Sequence, residues 1–282
     1  ETFDTLPFYQ HLNRDIFEIV LYTMTDSNHR LHRYCAGHAD AMVVLSNDLS
    51  SQVQTIRVDD LDLLLVATNV TAVTNSIVLL ATHRLARIQC VNICSCTTTG
   101  IKNIDYYLSG KLSEATIDAQ SQYTEKLVCI DGSAHCREEA TEANSLATIT
   151  VDRSSLGLAE DDIVYISGAN FFKITPELEL VWAKILKQQP RSKLVIYPFN
   201  PNWSSHYPIN AFKQRIKNTF AEAGIEEDRL LILGTVPNFA DVKVRLSIAD
   251  VYLDSFPFSS INALIDPLEV GLPIAIRDGN SF

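Results

Sequence analysis

Glycine is scarce, with 10 residues in a chain of 282. No Gly-x-Gly-x-x-Gly and no Gly-Lys-Ser/Thr stretch occurs, which excludes the dinucleotide fingerprint and the P-loop. A phosphate ligand must therefore be held by side chains and helix ends. Positive charge is also short, with 23 Lys and Arg against 34 Asp and Glu and a formal net charge of −11. The pI of about 5.0 is a poor match to nucleic-acid phosphates, so no nucleic-acid partner is expected. A local basic pocket for a small phosphate ligand stays compatible with it. No apolar run reaches about 18 residues, so no membrane partner is expected.

Metal-binding patterns are missing too. The six cysteines are Cys35, Cys90, Cys94, Cys96, Cys129 and Cys136. The Cys90-x₃-Cys94-x-Cys96 spacing lacks the usual Cys-x₂-Cys pairs, and Val91 and Ile93 between them read as strand. Buried, reduced cysteines are expected there. Together with the lack of a leader segment, they point to a reducing, cytoplasmic setting. No His-x₃-His or paired acidic motif supports a metal site. No Ser/His/Asp set can be assembled by spacing. His38 and His83 are the acid–base suspects, and each reads first as structural. No catalytic residue is assigned.

What is present is α/β patterning. At 46% hydrophobic residues, the chain has enough for two cores of ordinary size. In the first half, strands are expected at Phe17–Tyr22, Ala41–Leu45, Leu61–Val66 and Arg87–Ile93. Helices are expected at Asn28–Ala36 and Thr74–Leu85. The continuous Leu61–Val66 run predicts a strand buried on both faces. The second half restarts with a strand at Ile163–Ser167 and a helix capped by Thr175 with Pro176 in its first position. Strands follow at Lys193–Phe199, Arg229–Gly234, Val251–Leu253 and Pro273–Ile276. Helices follow at Ile209–Ala223, Ala240–Ala249 and from Asn262 to Gly271. The acidic stretch between the halves reads as an exposed linker, or else as a long surface loop. The expected division is residues 1–135, a linker 136–161, and a doubly wound Rossmann-like domain 162–282.

Several groups fall at the carboxyl ends of these strands, where ligands bind in such sheets. Asn170 and Lys173 occupy the corner after Ile163–Ser167. Lys173 suits a diphosphate and Asn170 a base edge or phosphate oxygen, though a surface lysine is the equal alternative. Asn262 stands at a helix entrance whose free N–H groups suit phosphate. Asp266, one turn in, suits a pair of sugar hydroxyls. His206 and Trp203 lie in the loop after the next strand and suit a sugar pocket or core capping. Arg245 faces solvent or the pocket, with spacing favouring solvent, and Asp254 reads as a strand end. In the first half, Ser95, Thr98 and Thr99 offer hydroxyls after a strand, for a cleft or for a hydrogen-bonded turn.

These pieces carry a resemblance over nearly the whole chain. Asp62 to Asn75, Ala86–Gln89, Thr97-Thr-Thr-Gly100 with Asp105-Tyr-Tyr107, and Tyr123-Thr-Glu-Lys-Leu127 match in order. So do Phe172–Glu177 with Trp182–Leu186, Arg229–Gly234, and Ala249–Phe258 through Asp266 to Gly271-Leu-Pro273. The chain resembles the catalytic region of the protein O-linked N-acetylglucosaminyltransferases, SPINDLY-like proteins included, and the bacterial cytoplasmic N-glucosyltransferases that modify adhesins. The resemblance implies a GT-B fold of two Rossmann-like domains with a cleft. It implies inverting, metal-independent transfer of GlcNAc or glucose from a UDP-sugar to a protein acceptor, with no cofactor beyond that donor. By position, Lys173 and Asn170 would meet the diphosphate and nucleotide, Arg245 the uridine, Asn262 a phosphate and Asp266 the ribose. Asn262 and the Phe256-Pro-Phe258 turn are closer to the N-glucosyltransferase branch than to the O-transferase branch, which carries a His-Thr-Thr run there. Cys94 and Ser95 replace a Gly-His pair of the glucosyltransferases. The chain also opens after the family's first strand and stops inside a family motif, as a fragment or a reduced form would. The alternatives are a non-catalytic UDP-sugar-binding or interaction domain, and a GT-B transferase with a small or lipid-linked acceptor.

Overall fold

In the computed structural model, residues 5, 7, 10–27, 30–71, 75–114, 117–136, 146–199, 209–259 and 262–279 are described, apart from the side chains of 30, 31, 239 and 262. The chain forms two compact units, residues 1–144 with 279–282, and residues 145–278.

The first unit is built from short parallel strands. β1 (Val20–Thr23), α1 (Arg30–Gly37) and β2 (Ala41–Val44) form a two-stranded parallel pair. α2 (Leu49–Val58) follows, its first turn capped by Asp48, which accepts from the Ser51 amide at 2.7 Å. Then come β3 (Leu63–Val66), α3 (Ser76–Ala81), β4 (Ile88–Asn92), β5 (Tyr106–Gly110) and β6 (Lys126–Ile130), paired in the order β3-β4-β5-β6. The two-faced burial expected of Leu61–Val66 does not hold, because Leu63 is 55% exposed. β3 is the outer strand of the four-stranded sheet, so its first residue lies at an edge and not inside.

The second unit follows a regular βα alternation: β7 (Ile163–Ser167), α4 (Pro176–Gln188), β8 (Ser192–Ile196), α5 (Ile209–Glu222), β9 (Leu230–Ile232), α6 (Phe239–Leu246), β10 (Val251–Leu253), α7 (Asn262–Glu269) and β11 (Ile274–Ala275). All pairings are parallel and the strand order is β11-β10-β7-β8-β9. The chain thus winds one way from β7 and then returns to its other side, and the order reverses between β7 and β10. Alternation along β8 explains how both faces are filled. Leu194 and Ile196 pack with Leu178, Trp182 and Leu186 of α4 and Phe212, Ile216 and Phe220 of α5. Val195 points the other way, into a cluster with Val164, Ile166, Tyr252 and Leu246. Thr175 caps α4 through the Leu178 amide, and Gly224, at φ +75°, ends α5 in the left-handed region that favours glycine. A buried carboxylate ties these two helices together. Glu179, fully buried, accepts from Arg215 Nε at 2.9 Å and from Thr219 Oγ1 at 3.0 Å.

The linker expectation needs correction where the chain is described. Residues 146–161 pack on the second unit. Asp241, fully buried at the start of α6, accepts from the Thr148 amide, the Thr148 hydroxyl and the Ile149 amide. Arg153 donates to the Ile248 carbonyl at 2.9 Å, and Leu158 is buried. Asp152, Glu160 and Asp161 are exposed while Val151, Leu156 and Leu158 join the core, a pattern that composition alone hides.

Candidate functional site

Two strand-to-helix corners meet where the strand order reverses. β7 pairs with β10 through Tyr165 and Ile166 opposite Val251 and Tyr252. Beyond this ladder the chain leaves β7 through Gly168-Ala-Asn170-Phe-Phe-Lys173. The corner is tightened by the Lys173 amide donating to the Asn170 carbonyl at 2.8 Å and the Phe171 amide donating to the Pro198 carbonyl at 3.0 Å. From the other side, β10 runs into Asp254–Ser259. There the Asp254 carboxylate accepts the Ser259 hydroxyl, and the Ser255 hydroxyl donates to the Phe258 carbonyl at 2.9 Å. Asp254 is 7% exposed, so it braces this turn, in keeping with its reading as a strand end.

Lys173 spans the two corners. Its Nζ donates to the Ser259 carbonyl at 2.9 Å, across 86 residues of sequence, and lies 4.6 Å from the Phe258 ring centroid. A cation over an aromatic face whose ammonium also donates to a carbonyl is a placed charge. Asn170 Oδ1, three residues earlier, is buried and receives no hydrogen bond in the structure. A buried acceptor at a strand's carboxyl end is set to take a donor group from a ligand. Asn262 is the first residue of α7, so its amide belongs to the helix's free N-terminal set. Asp266 follows one turn later and is 7% exposed.

Arg245 does not face open solvent, as spacing favoured. It is half-buried and its Nη1 donates to the Gly234 carbonyl, at 2.5 Å, beyond the end of β9. Burial lowers its pKa, with Tyr197 and Asp241 acting in the opposite direction. Sequence reasoning missed the group that links it to Asp266. Tyr197 follows β8 directly, and burial, Tyr252 and Asp266 push its hydroxyl up while Arg245 pulls it down. Tyr252, in the middle of β10, is fully buried and accepts from the Gly168 amide at 3.1 Å. Both phenols therefore stay protonated. Their sequence signal is a tyrosine at the end of one apolar strand and inside another. Hydropathy reads these as ordinary core positions. Trp203 and His206 lie outside the described residues.

In the first unit, the threonine loop is hydrogen-bonded inward. Ser95 is fully buried, its hydroxyl donating to the Thr68 carbonyl at 3.4 Å and accepting from the Val70 amide at 3.3 Å. It presents no surface to a sugar or an acceptor. Thr98 Oγ1 donates to Glu125 Oε2 at 2.7 Å, and the Thr99 amide donates to Oε1 at 2.8 Å, joined by the Thr99 hydroxyl. Burial raises the Glu125 carboxyl, but these bonds outweigh it and the net shift is downward. Of the two readings of this loop, the structure carries the hydrogen-bonded turn. Cys90 is buried, and that burial pushes its thiol up to about 12. Cys94 and Cys96 are half-buried, not buried as expected. Among the described residues, no helix is long and apolar enough to cross a membrane.

Comparison with known proteins adds a separate line of evidence. The model of the family described as Glycosyl transferase family 41 matches residues 132–277. A probable UDP-N-acetylglucosamine–peptide N-acetylglucosaminyltransferase SPINDLY of Oryza sativa subsp. japonica is 29% identical over 225 residues, covering 80% of this chain and 23% of that protein. The corresponding SEC protein of Arabidopsis thaliana is 26% identical over 186 residues, covering 63% of this chain and 17% of that protein. The chain thus spans about a quarter or less of the length of these relatives. Among solved structures, an O-GlcNAc transferase mutant of Thermobaculum terrenum superposes with a TM-score of 0.76 at 20% identity, over 96% of this chain and 48% of that one. Anabaena HepE in complex with UDP and glucose gives 0.53 at 13% identity, over 97% and 74%. These likenesses establish a GT-B-like α/β fold.

Proposed function

Because the chain belongs to glycosyl transferase family 41, we propose that its second unit holds the nucleotide of a UDP-sugar and that the chain takes part in transferring that sugar to protein side chains. Lys173 and the N-terminus of α7 neutralise the diphosphate, Asn170 takes a donor group of the nucleotide, and Asp266 takes the ribose hydroxyls. Arg245 lies on the uridine side. Charge builds on UDP as it leaves, so a fixed ammonium and a helix N-terminus act more strongly in the transition state than before it. The transfer is inverting, and these groups perform the neutralisation that a metal ion performs elsewhere. The relatives' names support GlcNAc as the sugar and peptide as the acceptor.

The observation that carries this reading is the Lys173 ammonium at the meeting of the two corners, 2.9 Å from the Ser259 carbonyl. Calorimetric titration of UDP into the chain and into Lys173→Ala tests it. Removing a charge-assisted contact is expected to weaken UDP by about ten- to a hundredfold. Equal affinities would refute the role of Lys173. A second reading, a UDP-binding module without chemistry of its own, draws support from the first unit, where Ser95 is buried and the Thr98 and Thr99 hydroxyls are spent on Glu125. UDP binding with neither sugar transfer nor donor hydrolysis would select it.

A further inference from the structure

The buried tyrosines beneath the corner have a geometry that hydrophobic packing does not require. Parallel strands share a regular ladder only while they run side by side. β7 and β10 do so as far as Ile166 and Tyr252, and the helices that follow them pack on opposite faces of the sheet. The crevice opens there, and the next amide on the β7 side, that of Gly168, lies beyond the last paired residues of the two strands. The Tyr252 hydroxyl fills the place, accepting from Gly168 N–H at 3.1 Å across 84 residues of sequence. Tyr197 closes the same spot from the β8 side, for a Cβ built on Gly168 would fall 2.5 Å from its ring carbon Cζ. Of the amides in this corner, those of Phe171 and Lys173 bond to the Pro198 and Asn170 carbonyls and that of Ala169 to the Ser167 hydroxyl. The Gly168 amide, by contrast, is bonded to the β10 side.

The geometry points to Tyr252 as a positioning residue. Its hydroxyl fixes the level at which the β7 corner leaves the sheet, and so sets the Lys173 ammonium against Ser259 and the start of α7. Tyr252 touches no ligand in this scheme; it acts through Gly168. The inference rests on the nucleotide reading above and deepens it, because it names what sets the spacing of the two walls that share the diphosphate. Phenylalanine keeps the ring in the Val164, Ile166 and Leu246 cluster and removes only the oxygen.

The test is calorimetric titration of UDP and of uridine into the wild-type chain, Tyr252→Phe, Lys173→Ala and the double variant. Loss of one anchoring hydrogen bond is expected to weaken UDP by about five- to tenfold, with uridine changed by less than about twofold. Most of the Tyr252→Phe loss should disappear once Lys173 is alanine, since the corner then has no charge to misplace. Unchanged UDP affinity in Tyr252→Phe would overturn the inference. So would equal losses for UDP and uridine, or a loss that persists in full beside Lys173→Ala, since general loosening of the unit predicts those. A wild-type chain that does not bind UDP would instead overturn the nucleotide reading, and this inference with it.

Discussion

The close approach at Gly168 gives a prediction that depends only on packing. In Gly168→Ala the new Cβ would lie 2.5 Å from Tyr197 Cζ and 2.7 Å from Cε2. Carbon atoms settle at about 3.5–4.0 Å, so the ring or the corner must give way by about 1 Å. The ring has little room to do so, because Tyr197 packs against the buried cluster of Val164, Ile166 and Tyr252. Overpacking of this kind costs about 1–3 kcal/mol. The assay is urea unfolding followed by tryptophan fluorescence, which reports the second unit alone because both tryptophans, Trp182 and Trp203, belong to it. Tyr197→Leu removes the obstructing ring edge. In that background the cost of Gly168→Ala should fall by at least about 1 kcal/mol, a coupling that a double-mutant cycle measures. A Gly168→Ala protein within about 0.5 kcal/mol of wild type, or a cost that Tyr197→Leu leaves untouched, would refute the steric reasoning.

Arg215→Leu should destabilise the second unit by about 2–3 kcal/mol, because it strands the fully buried Glu179 carboxylate with only Thr219 as donor; the joint change with Glu179→Met should recover most of this in the same fluorescence assay. Acid should weaken the first unit through Glu125. Its folded pKa lies below the ordinary 4.5, so its stabilising contribution is complete above about pH 4.5 and is lost as pH falls through the folded value. Circular dichroism of urea unfolding across that range should show a shallower acid decline in Glu125→Gln, which starts less stable at neutral pH, and an unchanged decline would contradict the linkage.

Much of the second unit was legible because its boundaries carry chemistry. Thr175-Pro176 announces α4, Gly224 ends α5 and Gly271, also in the left-handed region, follows α7. The first unit was harder to read. β5, Tyr-Tyr-Leu-Ser-Gly, and β6, Lys-Leu-Val-Cys-Ile, are five-residue strands with polar or small residues, and neither was read as a strand from its pattern. α2 was passed over as well, although Asp48 marks its start, because Leu49–Val58 mixes Ser, Gln, Thr and Arg with few apolar residues. Asn170, Lys173, Asn262 and Asp266 stand out in the sequence because they sit at corners that the strand pattern predicts. Gly168, Tyr197 and Tyr252 do not, since a hydroxyl pairing with an amide 84 residues away has no periodicity. Arg245 was read outward because spacing on a short helix does not reveal that the Gly234 carbonyl lies within reach.

The strand order has a consequence for how the second unit assembles. β7, β8 and β9 can associate as they emerge, each with its neighbour, whereas β10 must come back past both to lie beside β7. Closing that long loop is entropically costly and comes late. An intermediate holding only β7 to β9 has the Asn170–Lys173 wall and nothing facing it. On the proposed reading, nucleotide would therefore not shelter such an intermediate, and would stabilise only a unit into which β10 and α7 have already docked. Protection from proteolysis by UDP would then read out completed folding, and a lesion that delays β10 would escape rescue by ligand however tightly the finished site binds.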